Sequence, residues 1–395
     1  MPGPDARSAV HTADLDAPPE NAYRLVADVL HWPLLFSPCI WSQVLDAAPA
    51  EAARAAESAS PSAESASPSA ESASPSAEPA SPSAESASPS AEPASPSAAG
   101  EEPAAGTPPR PFAGLGATDE RIRLWAVVGS GVRSWTSRRT LDPAALRVDF
   151  AQQEPAAPIV RMSGHWSFGA EPGSPAATHR LALHHAWATE GGQEVGDRIE
   201  AALDHNSKEE IAAVKAWAER PQAPEELIFS FSDTLLVDGP VSEVYDFLYR
   251  ADLWPARLPH VAALDVETAP ESPAGTEVEV QTMDMKTKGA DGSVHATQSV
   301  RLCFADRRIV YKQTTVPRGL LGHTGEWLFE ETPAGTLVTA RHQVALDPGA
   351  LEGVFGPGTT LESARRLVRD ALGGNSRRTL GEARRHVESL GQAVR

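Results

Sequence analysis

Apolar and polar positions follow two periods along this chain, and the same succession of periods occurs twice. From Asp14 an extended start reaches a proline-marked helix beginning, then apolar residues at helical spacing, Tyr23, Val26 and Leu30. Trp32-Pro33 stops that helix, because a residue before proline is pushed out of the helical region. From Thr234 the pattern returns, with Tyr245 and Leu248 on the helix face and Trp254-Pro255 as the stop. Asp16 and Asp238, Pro18 and Pro240, Tyr23 and Tyr245, and Trp32 and Trp254 all pair at one constant offset. Alternating runs then predict meanders. The first has strands at 121–128, 132–140, 146–153, 159–170 and 178–189, followed by a helix over about 195–220. The second has strands at 277–285, 293–304, 308–316, 324–331 and 336–346, followed by a helix over about 361–390 that Gly373-Gly374 is expected to interrupt. Gly164-x-Trp166 aligns with Gly325-x-Trp327, and the stretch from Ala202 to Ser207 with that from Ala371 to Ser376, so a whole domain is duplicated.

Residues 1–220 therefore form a first domain, 221–226 a linker and 227–395 a second domain. An insertion at about 47–110 splits the first, built almost wholly of Ala, Ser, Pro and Glu with a seven-residue repeat. A proline in each repeat and the lack of apolar positions exclude a coiled coil. With nothing to bury, the insertion is expected to be disordered and without chemistry. The net charge of −19 argues against nucleic-acid binding. Two cysteines, one per domain, give neither a disulfide framework nor metal-ligand spacing, and no run is apolar enough to span a bilayer. These features predict a cytoplasmic protein that uses no metal or cofactor and does not bind membrane.

Four further stretches carry a family likeness: residues 31–36 (HWPLLF), 134–139 (SWTSRR), Gly164-His165-Trp166 and Leu203-x-x-Asn206. With these, in order and doubled, the chain resembles the di-domain aromatase/cyclases of bacterial type II polyketide synthases, relatives of the tetracenomycin aromatase/cyclase in the START/Bet v 1-like superfamily. The resemblance implies an α+β protein of two tandem helix-grip domains, each a curved antiparallel sheet wrapped around a long C-terminal helix. It also implies an enzyme that folds a poly-β-ketone delivered on an acyl carrier protein by the other synthase components. That enzyme directs a first-ring aldol closure, C7–C12 in ketoreduced chains, and dehydrates the ring to an aromatic. The alternative is a non-catalytic START-like carrier of an apolar or polyketide ligand, since fold alone does not assign function.

An aldol closure needs an oxyanion stabilised and a carbonyl polarised. Alternation puts Trp135, Ser137 and Arg139 on one strand face, and the tryptophan marks that face as inward. Arg139 and Ser137 are thus the catalytic candidates, the alternative for Arg139 being a surface arginine paired with a carboxylate. Trp32, Phe36, Trp135 and Trp166 are candidate substrate walls, equally readable as core packing. Asn206 falls on the expected inward stripe of the terminal helix, where it could bond substrate, a water or backbone. In the second copy Trp254, Arg301 and Trp327 are the counterparts. There an opposite apolar face, Val300, Leu302 and Phe304, is expected to claim the inside and turn Arg301 outward, leaving the chemistry to the first domain. Register turns His165 outward. The general acid/base stays unassigned, with Tyr23, Ser137 or water open. The last 35 residues carry eight arginines against four acids, a candidate surface for an acidic carrier protein.

Overall fold

The computed structural model describes residues 5–49, 118–129, 131–169, 179–288, 292 and 294–393. Most of the expected 47–110 insertion lies outside the described residues. In the first half the order is β1 (Asp5–Leu15), α1 (Pro19–Ala27), α2 (Trp32–Leu35), β2 (Cys39–Pro49), β3 (Thr118–Val128), β4 (Gly131–Asp142), β5 (Arg147–Gln153), β6 (Ile159–Gly169), β7 (His179–Thr189) and α3 (Gln193–Ala218). A short helix, α4 (Pro224–Leu227), leads into β8 (Ile228–Val237), α5 (Val241–Tyr249), α6 (Trp254–Arg257), β9 (Val261–Thr268), β10 (Glu279–Lys288) and β11 (Val294–Phe304). The chain continues as β12 (Arg308–Thr315), β13 (Leu320–Thr332), β14 (Gly335–Leu346), α7 (Leu351–Phe355) and α8 (Leu361–Ala393). Each half makes one seven-stranded antiparallel sheet of the same topology, β1-β7-β6-β5-β4-β3-β2 and β8-β14-β13-β12-β11-β10-β9.

Helix α8 runs unbroken through Gly373 and Gly374, against the expected interruption. Glycine in a helix costs about 1 kcal/mol relative to alanine, which neighbouring contacts offset here. At Gly373 a Cβ would meet the side-chain ends of Arg369, Arg377 and Asp233 of β8, so its absence leaves room for those groups to pair. The Gly-x-Trp motif works in a similar way. A Cβ at Gly325 would strike the Tyr311 ring, and one at Gly164 the Phe150 ring. Glycine thus gives the neighbouring strand's aromatic room to lie across the sheet, while the following tryptophan points into the core.

The two sheets meet through their outer faces. Val300, Leu302 and Phe304 pack with Ile40 and Trp125 in one buried cluster, against which Trp41 also packs. Trp41 stacks on Trp125 at 4.6 Å between ring centroids. This contact corrects the expected orientation of Arg301. The apolar face of β11 is indeed buried, but against the first half of the molecule. The opposite face, with Arg301, therefore turns into its own domain, where the residue is 3% exposed. Next to this contact Lys312 of β12 crosses the boundary. Its Nζ donates to the carbonyl oxygens of Phe36, Ser37 and Cys39 at 2.7, 2.6 and 2.8 Å. Burial lowers the Lys312 ammonium to a pKa of about 8.

Candidate functional site

Register equates β4 with β11 and sets Arg139 beside Glu120, and Arg301 beside Gln281, on the neighbouring strands. Arg139 points inward and is buried, as the Trp135 face requires. Its donors are nevertheless taken. Nε donates to Glu120 Oε1 at 2.9 Å, Nη1 to the Val26 carbonyl at 2.9 Å and Nη2 to the Ala27 carbonyl at 2.6 Å. The guanidinium lies 5.2 Å from the Trp32 ring centroid. Arg139 thus ties the C-terminal end of α1 to the sheet, with its charge neutralised by a buried carboxylate.

Arg301 ties down α5 in the same way, Nη2 donating to the Leu248 carbonyl at 2.8 Å, and sits 5.5 Å from the Trp254 ring. Among the described residues no carboxylate pairs with it. Gln281, at the place of Glu120, is neutral, and its Oε1 is buried without a partner. Arg301 instead lines a cavity of about 590 Å³ between the second sheet and α8.

That cavity has aromatic walls, Trp254, Trp327 and Tyr311, and a continuous polar strip. Gln313 Oε1 is 2.9 Å from His323 Nδ1, and His323 Nε2 is 3.0 Å from His342 Nδ1. His342 Nε2 reaches Ser376 Oγ of α8 at 2.8 Å, and the Tyr311 hydroxyl lies 3.0 Å from His342 Nδ1. Burial lowers His342 to about 4 and His323 well below the ordinary histidine value, so both rings are neutral near pH 7. Burial raises the Tyr311 phenol, which stays protonated. A row of neutral donor–acceptor groups can pass a proton by switching tautomers, and none of its members needs to carry a charge at rest.

The first sheet carries an abridged version. By register Phe150 stands for Tyr311, Met162 for His323 and His185 for His342. Only His185 to Ser207 remains, at 3.2 Å. Trp135 there occupies the place of Thr297, adding bulk where the second domain has space. Ser137 is buried, Trp166 stacks on Phe168 at 6.3 Å, and Trp32 meets Phe36 edge-on at 5.2 Å. Trp32, Phe36, Trp135 and Trp166 all belong to or pack against the first core.

Asn206 is exposed, contrary to the expected inward stripe, while its neighbour Ser207 is buried. Val214 and Trp217 of the expected stripe are buried, and with Ser207 and Ile211 they set a phase that leaves Asn206 at its exposed edge. Sequence reading also missed Glu210, a half-buried residue on the same helix whose carboxyl burial raises to about 7.

Paired seven-stranded sheets, each with a long helix and one with a polar-lined cavity, define a two-domain helix-grip protein. The comparisons narrow this further. The chain is 39% identical to the actinorhodin polyketide synthase bifunctional cyclase/dehydratase of Streptomyces coelicolor, covering 97% of this chain and 98% of that protein. It is 35% identical to the granaticin polyketide synthase bifunctional cyclase/dehydratase of Streptomyces violaceoruber, covering 97% and 95%. Among solved structures it superposes on the di-domain ARO/CYC BexL with a TM-score of 0.64 at 36% identity, covering 97% of this chain and 99% of that one. On the di-domain ARO/CYC StfQ the TM-score is 0.64 at 28% identity, with coverage of 97% and 99%. No family model matches the sequence. The chain belongs to the bifunctional cyclase/dehydratases of polyketide synthases, and it is an enzyme of that class. No helix among the described residues is long and apolar enough to cross a membrane.

Proposed function

We propose that the second-domain cavity folds a carrier-bound poly-β-ketone, closes its first ring and dehydrates that ring to an aromatic. One observation carries this reading. Arg301 faces the cavity as a cation without a carboxylate, beside the strip of Tyr311, His323, His342 and Ser376. In the aldol step an enolate carbon attacks a ketone carbonyl, and negative charge gathers on oxygen. Arg301 stabilises that charge in a water-poor site, where a fixed cation acts most strongly. Loss of water then needs a base for the α-proton and an acid for the departing hydroxyl. Neutral His342 serves as the base. Tyr311 gives a proton to the hydroxyl and regains one through the imidazole it contacts. Trp254 and Trp327 hold the flat product.

C7–C12 closure of a ketoreduced chain is the regiochemistry we infer from family resemblance. The first-domain candidates Arg139 and Ser137 become structural in this reading, because Glu120 already neutralises the arginine. Co-expression with a minimal polyketide synthase and ketoreductase tests the proposal. Tyr311→Phe should accumulate cyclised but undehydrated or misfolded-ketide products, with the protein still folded. An unchanged aromatic product would remove Tyr311 and its strip from the mechanism.

A further inference from the structure

A second hollow, a surface cleft of about 580 Å³, runs along α8 on the side of β10. Four cations line it, Lys288, Arg377, Arg378 and Arg385, against the single carboxylate of Glu382. In a chain of net charge −19 this is a local reversal of sign. Glu382 pairs with Arg385, and Asp233 is shared by Arg369 and Arg377. Arg378 has only the neutral Asn375 amide oxygen, and among the described residues Lys288 has no carboxylate partner. The helix surface facing the cleft is bare, since Gly374 and Gly381 have open space where a Cβ would stand.

His260 joins this cleft to the catalytic cavity, because it lines both. Its Nε2 lies 3.4 Å from the Thr379 hydroxyl, which faces the cavity, and its Nδ1 is buried without a partner. The partition between the two hollows is therefore one imidazole and one threonine.

We propose that the cleft binds the phosphodiester of the phosphopantetheinyl arm that presents the ketide, with Lys288 and Arg378 as its principal cations. The inference rests on the proposed function, in that a carrier-bound ketide must thread its chain into the cavity. A phosphate that followed the chain inside would neutralise Arg301, the cation the proposed chemistry uses, and would lose most of its hydration. It has to stop at the mouth, where guanidinium and ammonium groups bond phosphate oxygens directly. The cleft supplies those groups beside the His260 partition.

Calorimetric titration of the full chain with 4′-phosphopantetheine and with pantetheine tests this without any turnover. The wild type should bind the phosphorylated form at least tenfold more tightly, and the preference should weaken with salt. In Lys288→Glu/Arg378→Glu, with unchanged thermal unfolding, the two ligands should bind alike. Equal affinities in the wild type, or a preference that survives the double substitution, would overturn the site. A preference that holds while Tyr311→Phe leaves aromatisation unchanged would keep the phosphate site and sink the proposed chemistry instead.

Discussion

Gln281 lies directly across the strand ladder from Arg301, in the place where Glu120 faces Arg139. One amide for one carboxylate separates two otherwise matched buried arginines. The first is half of an ion pair that holds a helix end, with Arg139 Nη2 2.7 Å from Glu120 Oε1. The second lines the cavity and has no carboxylate partner among the described residues.

Gln281→Glu should therefore convert the second site into a copy of the first. Removing one oxyanion-stabilising group slows catalysis by on the order of 10²–10³, and a carboxylate beside Arg301 should approach the lower figure. Aromatisation rate, measured with the protein shown to be folded, checks this. A rate equal to wild type would mean that the charge of Arg301 is not used.

Glu120→Gln should act on stability. Removing one partner of a buried pair typically costs about 3–5 kcal/mol, because the other charge stays behind uncompensated. Urea unfolding of this variant against wild type reads the loss. A change below about 1 kcal/mol would show that water or another group takes over from the carboxylate.

Lys312→Met should loosen the contact between the sheets. Methionine fills a similar volume but leaves the carbonyls of Phe36, Ser37 and Cys39 without their donor. Burying unsatisfied groups costs about 1–3 kcal/mol apiece, offset in part by relief from burying the ammonium. Hydrogen exchange should rise at residues 36–40 in the variant, and unchanged protection there would contradict the assignment.

Acid should destabilise the second domain through His342, as it does the first through His185. Burial depresses His342 from about 6.5 to about 4, so between those values the unfolded chain binds more protons than the folded one. The contribution is complete above about pH 6.5 and is lost as pH falls through 4. It amounts to about 2–3 kcal/mol by pH 4.5 for this one group. Urea unfolding at pH 7.5 and 4.5 should show a smaller difference in His342→Gln than in wild type. Identical pH slopes would mean that the ring is not held neutral.

The duplication, the strand order and the inward turn of Arg139 were legible because alternation and the Trp-Pro stops leave a mark at each position. The partner of Arg139 was missed, because the expected strand began one residue later, at Arg121. Glu120 stands in line with Ile122 and Leu124, a carboxylate on an apolar face, and such a residue calls for a buried cation. The orientation of Arg301 was hidden, because β11 has two buried faces and only the contact with Ile40 and Trp125 says which one meets the other sheet. Asn206 was misread because it falls at the exposed edge of the α3 stripe, a placement that short apolar stripes do not resolve. Tyr311, His323 and His342 come from three strands and converge only across the sheet. Aligning the two copies by register would have shown Phe150 and Met162 replaced by Tyr311 and His323, a polar gain at inward positions.

In the proposed mechanism the second cavity does the chemistry while the first arginine is structural. Aromatisation by folded Arg301→Met, set against the double variant Glu120→Leu/Arg139→Leu, tests it most directly. The double variant removes both charges of the pair and leaves neither uncompensated. We predict a loss on the order of 10²–10³ for Arg301→Met and a rate within about threefold of wild type for the double variant. A rate near wild type for Arg301→Met together with collapse of activity in a folded double variant would return the chemistry to the first domain.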